Sequence, residues 1–323
     1  MIGGLAILLL MLLVMWLGQT RGDSHRVICE RRQQQTAAAI MQFEALQGNY
    51  PGYKNLQAVD ADGEPQPTGW AFTLLPFLES QVGEEVVQQL EATTPDELRA
   101  RAEDATLARP YEKLFTDHGP TGADRTRGTS PKSRIMELIC PDDPTLAAGE
   151  AGENAMSWVV NTGLPDAKDF VELPADWTAN GIFENQFDPG AAQPPLASVP
   201  WLLEHDGLSA TLLLTENMDA GTWPESAENL VGFVWVVEVI DGQATRGQRL
   251  LGINEEIGAG DGSVRFARPS SYHVGGVNAV YASGKTQFLS QQIDWLVFTQ
   301  LMTSDGADAK LPGTEEPVPD AYR

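Results

Sequence analysis

Only two cysteines, Cys29 and Cys140, occur in 323 residues, and they do not form a Cys-x-x-Cys pair. That spacing excludes a thioredoxin-like redox motif and the usual zinc-finger or zinc-ribbon patterns. Histidine is as sparse. His25, His118, His205 and His273 show no metal-ligand spacing, and a His-Glu-x-x-His is absent. Also missing are a Walker loop, a dinucleotide fingerprint and a Gly-x-Ser-x-Gly nucleophile elbow. Basic residues are in short supply, 21 against 45 acidic, for a net charge of −24. A chain so acidic has no basic face for nucleic acid or anionic lipid. Its carboxylates are dispersed, with local density at residues 79–91 and 96–104, and read as a solvated, self-repelling surface. Asp60-Ala-Asp62-Gly63-Glu64 opens like a calcium loop, but Pro65 stands where an EF-hand needs glycine and Ala71 where it needs glutamate.

The N-terminus lacks charged side chains altogether. Ile2 to Leu17 is one apolar run of sixteen residues, closed by Gly18 and then Arg21. A membrane helix needs about 20 such residues, and Gln19 and Thr20 bring the run near the lower limit. A secretory signal is the competing reading, but no basic leader and no small-x-small cleavage site are present. The expectation is an anchor over residues 1–20. Arg21, Arg26, Arg31 and Arg32 follow it, and the positive-inside rule alone would hold them in the cytoplasm.

Residues 21–48 continue as helix. Ala37, Ala38 and Ala39 are strong helix formers, Ile40, Phe43 and Leu46 share a face, and Gly48-Asn49 provides the stop. Tyr50 to Thr68 reads as a Pro/Gly loop, and Trp70 to Leu90 as helix broken or kinked at Pro76. Pro95 opens another helix behind Thr94 as N-cap, and residues 118–131 form a polar, Gly-rich loop. Strands then take over: 135–139, 156–161, 210–215, 231–240, 277–282 and 286–289. Ile293 to Met302 is a short amphipathic helix with Ile293, Leu296, Val297 and Leu301 on its buried stripe. Helix first and antiparallel sheet second is an α+β order. Residues 49–304 make the globular part, and 305–323 a disordered acidic tail.

The densest signal is Arg268-Pro-Ser-Ser271-Tyr-His273-Val-Gly275-Gly276-Val-Asn278, running on through Tyr281 to Ser283-Gly284 and Phe288. It reads as a Gly-Gly entry into a hairpin. Val277, Ala279 and Tyr281 alternate with Asn278, Val280 and Ala282, and Gly284 sits where the reversal needs positive φ. The segment resembles the C-terminal signature of a bacterial prepilin-like family, catalogued as domain of unknown function fifteen-fifty-nine (DUF1559): a His, a Gly-Gly, an apolar strand and an Asp-Gly turn. Five further blocks are similar to that family in order. They are Cys29 to Tyr53, Trp70 to Glu79 with its Leu-Leu-Pro, Ile139-Cys140-Pro141-Asp142-Asp143-Pro144, and the pair of strand blocks Ser157 to Gly163 and Ser209 to Glu216 followed by Trp223.

The resemblance implies a pilin-like α+β fold, a long N-terminal membrane helix followed by an antiparallel sheet domain with short helices. It also implies a type II secretion pseudopilin-like protein of the inner membrane, non-enzymatic, with its globular part exported. Self-assembly or other pilin-like subunits would be the partners. Two departures stand out. Ser283 replaces the Asp of the Asp-Gly turn, and Asp142 stands where Ser is usual. The prepilin processing pattern is absent, with no Glu before Glu30, so either the start codon is misplaced or the helix is an anchor the peptidase never cuts. In an oxidising compartment Cys29 and Cys140 invite a disulfide, whose long loop would contribute about 4–5 kcal/mol. In a reduced protein they would be two buried thiols.

Chemistry has few candidates. His273 as a general base, with Ser270 or Ser271 as nucleophile and Asp261 or Asp294 orienting it, would be a hydrolase. A structural His273, hydrogen-bonded to the turn and pinning the Arg268 loop against the hairpin, is the expectation. On that reading Cys29, Cys140, Arg268, Ser271, His273, Gly275, Gly276, Asn278 and Gly284 are structural residues, and no cofactor is required. Asp261 or Asp294 could ligate calcium. Trp158, Trp201, Trp223 and Trp235 could line a glycan platform in a tethered binding module, but fit a buried aromatic core better.

Overall fold

The computed structural model describes residues 2–59, 65–78, 135–144, 154–165, 178–187, 196–235, 237–240, 243–246, 251–258, 260, 262–309 and 313–323. Within these, the side chains of residues 2–24, 57–59, 65, 237–240 and 243–246 are not described. The expected helix at Pro95, the 118–131 loop, Asp261 and the side chains of the anchor over residues 1–20 therefore lie outside. Among the described residues no helix is long and apolar enough to cross a membrane.

One helix dominates. Helix α1 spans Ile2–Gln47, 46 residues, or about 69 Å at 1.5 Å per residue. It stops at Gly48, whose φ of +80° only glycine adopts without strain and whose N–H closes on Glu44. Its buried face runs Cys29, Gln33, Thr36, Ala37, Ile40, Phe43 and Glu44, a three-and-four spacing that lays one stripe on the domain. Leu46, expected on that stripe, falls off it and is exposed.

Strands β1 (Lys54–Val59) and β2 (Pro65–Gly69) form a hairpin where a loop was expected. Two of the three prolines that suggested a loop, Pro65 and Pro67, sit on β2, which among the described residues pairs on one side only and so needs no N–H on the other. Helix α2 (Trp70–Thr73) passes at once into a 3-10 turn over Leu75–Phe77, so of the two expectations at Pro76 it is the break that is found, and residues 79–90 lie outside the described residues. Residues 135–139 are likewise not a strand. Met136–Leu138 is a single 3-10 turn, since so short an apolar run carries no period that separates the two states.

The core is a five-stranded sheet ordered β5-β3-β4-β8-β9. Its members are β3 (Trp158–Gly163), β4 (Leu212–Glu216), β5 (Gly232–Val234), β8 (Gly276–Tyr281) and β9 (Thr286–Ser290). The β3–β5 pair is parallel and the rest antiparallel, so the sheet is mixed. Strands β6 (Val237–Ile240) and β7 (Gln243–Arg246) make a separate hairpin. Helices α3 (Val199–Glu204), α4 (Glu228–Val231) and α5 (Trp295–Met302) complete the set.

Strand alternation sends side chains to both faces, and both faces are covered. Trp158, Val160, Leu214 and Val280 pack with Cys29, Ala37, Ile40 and Phe43 of α1. Val159, Leu212, Val277, Ala279, Tyr281 and Leu289 pack with Leu301 and Met302 of α5 and with Val318. Burial on two sides explains why β3, β4 and β8 are apolar nearly throughout. The C-terminal segment expected to be disordered packs as well. Ala309, Thr314 and Val318 are buried, because Val318 joins the cluster beneath α5.

Candidate functional site

At one end of the sheet, α1, the segment after Ile139, the end of β4 and the entry to β8 converge. Cys29 and Cys140 are disulfide-bonded there across 111 residues, with Cα atoms 5.2 Å apart and neither sulfur accessible to solvent. Cys29 lies on the buried face of α1. Cys140 is held by the Ser157 hydroxyl, which accepts its backbone N–H at 3.0 Å.

His273 stands against the bridge, its Nε2 3.7 Å from Cys140 Sγ. The ring is buried and faces two carboxylates: Nε2 meets Glu216 Oε1 at 3.0 Å and Nδ1 meets Asp142 Oδ2 at 3.1 Å. Glu216 ends β4 and has no solvent exposure. Its Oε2 accepts the backbone N–H of Asn278 at 2.8 Å, and its Oε1 accepts the Asn278 side-chain amide at 3.2 Å. Asp142 reaches in the other direction to His25 of α1. The result is a chain of groups, His25, Asp142, His273, Glu216 and Asn278, laid alongside the disulfide.

Burial alone would lower the His273 pKa. The hydrogen bond and charge of Glu216 and the charge of Asp142 outweigh both burial and nearby Arg26, so the pKa rises above its ordinary 6.5. With Nε2 facing Glu216 and Nδ1 facing Asp142, both ring nitrogens are engaged by carboxylates. Its predicted structural role has a different basis from the one expected. The ring answers buried charge, while the turn is held by Ser271, whose hydroxyl accepts the His273 backbone N–H at 3.1 Å and donates to Gly276 O at 2.8 Å.

Among the described residues the hydrolase arrangement does not assemble. Ser271 is committed to that turn, and Ser270 Oγ donates to Asn217 Oδ1 at 3.0 Å. Asp294 caps α5, accepting the N–H groups of Leu296 and Val297, and Asp261 lies outside the described residues. The glycan platform fails too, because Trp158, Trp223 and Trp235 are buried in the core and Trp201 stacks on His205 with centroids 4.0 Å apart. His205 pairs with Asp305 at 3.4 Å, far along the chain from the His273 site.

Arg268 is buried in a second polar knot. It pairs with Asp219 at 2.8 Å and also reaches Asn217, Ser270 and the Phe266 carbonyl, which fixes the 268–271 loop. The glycines are placed for different reasons. Gly275 has φ +89°. A Cβ on Gly276 would stand 1.9 Å from Leu289 O, and Gly284, φ +80°, makes the β8–β9 reversal.

Residues that composition and spacing did not single out are Glu216, Asp142 as an acid, Asn217, Asp219 and His25. Two of them left a trace. Glu216 is the charge closing an otherwise apolar strand, and Asp142 occupies a position where the resemblance leads one to expect Ser. The other departure, Ser283, lies beyond the far end of β8, about 20 Å along the strand from His273. An acid at 283 would not face this site.

Four potential metal donors sit together here. One atom each of Cys29, Cys140, Glu216 and His273 lie within 4.8 Å of one another, all four residues being buried. The two sulfurs are bonded to each other.

The family model described as "Protein of unknown function (DUF1559)" matches residues 21–296. No curated protein and no solved structure matches the chain.

Proposed function

The chain belongs to the DUF1559 family of proteins of unknown function, and from that premise we propose that it is a membrane-anchored, non-enzymatic envelope protein of pilin-like kind. It carries its α+β domain outside the cytoplasmic membrane. The observation that carries this reading is the Cys29–Cys140 bridge between the domain and α1. The same helix begins with a run free of charged side chains. Disulfides persist in oxidising compartments, so a bridged domain on such a helix is one displayed beyond the membrane. The acidic surface and the His273 ring, engaged by carboxylates at both nitrogens, support a displayed structural domain over a catalyst. A second copy or another pilin-like subunit, packing along the apolar part of α1, is the partner this reading names.

An intact mass from native membranes, with and without reductant and alkylation, tests it. A mass two hydrogens short of the thiol form, on protein that external protease cleaves in spheroplasts, is the expected result. A shortened N-terminus bearing an extra methyl would move the reading to an assembling pilin. Free thiols on a protease-protected domain would overturn it.

A further inference from the structure

We propose that, when its disulfide is reduced, this chain binds zinc through Cys29, Cys140, His273 and Glu216. The geometry is already close to that of a four-coordinate ion. With metal–ligand bonds of about 2.0–2.3 Å, adjacent corners of a tetrahedron stand about 3.3 Å apart for nitrogen and oxygen and about 3.6 Å for nitrogen and sulfur. The corresponding separations are 3.0 Å for His273 Nε2 to Glu216 Oε1 and 3.7 Å for His273 Nε2 to Cys140 Sγ. All four donor atoms lie within 4.8 Å of one another. Only the covalent bond holds the sulfurs closer than a shared ion would, and reduction removes it.

The outer partners are in place. A zinc-bound imidazole needs its second nitrogen to donate to an acceptor, which fixes the tautomer. His273 Nδ1 meets Asp142 Oδ2 at 3.1 Å, and Asp142 is itself held by His25. Glu216 is oriented by both donors of Asn278. Charge argues the same way. In the bridged protein the fully buried Glu216 carboxylate faces His273 Nε2 at 3.0 Å. Two thiolates would add negative charge to that pocket, which a divalent ion neutralises. Two thiolates, an imidazole and a carboxylate suit zinc, and a buried site with four protein ligands is structural in kind.

The steps balance. A dithiol donates two electrons and two protons to the Cys29–Cys140 bond and leaves as its own disulfide. Zinc then displaces both thiol protons to solvent and binds His273 through a deprotonated Nε2, while the Nδ1–H of the ring donates to Asp142.

The test uses the full chain in detergent, reduced in urea with a water-soluble phosphine, returned to buffer without oxygen and titrated with cobalt(II) and then zinc. Expected are one equivalent bound, a thiolate-to-cobalt charge-transfer band with tetrahedral d–d absorption, and displacement by zinc. Zinc should raise the thermal midpoint of the reduced chain and leave that of the oxidised chain unmoved. Asp142→Asn, at a partly exposed position, should weaken binding about 10- to 100-fold, and Glu216→Gln should shift the cobalt spectrum. Absence of the charge-transfer band overturns the proposal. So does a band whose affinity and shape survive both substitutions, since the thiols would then be binding metal without the pocket. An equal zinc effect on the oxidised chain would place the ion elsewhere.

Discussion

Glu216 has no solvent exposure, and among the described residues its charged partner is His273. Removing one member of a buried pair strands the other, which costs about 3–5 kcal/mol. His273→Gln should destabilise the oxidised protein by that amount in urea unfolding at neutral pH, and adding Glu216→Gln should recover part of the loss. Asp142→Asn should cost only about 1 kcal/mol, because that carboxylate is partly exposed and solvent shares its charge. Equal losses from the two carboxylates would disprove this ranking. Asp206 supplies a pH-dependent test. Burial raises its pKa above 3.8, against the Gly306 N–H, the Thr303 hydroxyl and nearby His205, which lower it, while Asp305 adds to the rise. For a raised folded pKa, the contribution to stability is complete below the unfolded value and is lost as pH climbs through the folded one. Asp206→Asn should therefore gain on the wild type between about pH 3.9 and neutrality. A constant stability difference across that range would exclude the effect.

At the scale of elements, the β8–β9 hairpin separates two uses of glycine. A Cβ at 276 meets the Leu289 carbonyl of the paired strand at 1.9 Å, so Gly276→Ala must part the strands. A Cβ at 284 meets only the end of Met41, and Gly284→Ala carries the left-handed backbone cost of about 1–2 kcal/mol. The thermal midpoint should fall further for Gly276→Ala, and the reverse order would mean that β9 yields easily. This hairpin was legible because alternation and turn chemistry are local, as were the stop of α1 at Gly48 and the four central strands. The 54–69 hairpin was not, since its prolines sit on a strand with a free edge that sequence alone does not reveal. At the site, the Cys29–Cys140 pair could be expected from the chain, as the bridge bears out, but the approach of His273 to it could not. Glu216 joins them from the end of β4, and Asp142 from the turn just after Cys140, only through sheet order and the packing of α1.

Across the whole molecule the sheet is held between α1 on one face and α5 with the C-terminal segment on the other. The Cys29–Cys140 bond is the covalent tie between the first of these layers and the rest. Closing a loop of 111 residues contributes about 4–5 kcal/mol in the chain-entropy model. Domains are stable by about 5–15 kcal/mol, so the tie supplies a large share. The α1 stripe stays apolar without it, because Ala37, Ile40 and Phe43 pack independently of the sulfurs. The Cys29→Ala/Cys140→Ala protein should therefore fold, with a thermal midpoint about 10–15 °C lower. Hydrogen exchange should speed up first in residues 25–47, where the helix can now lift from the sheet before the strands open. A midpoint shift under about 3 °C, or exchange that rises uniformly, would mean that packing alone fastens α1 and that the bridge adds little.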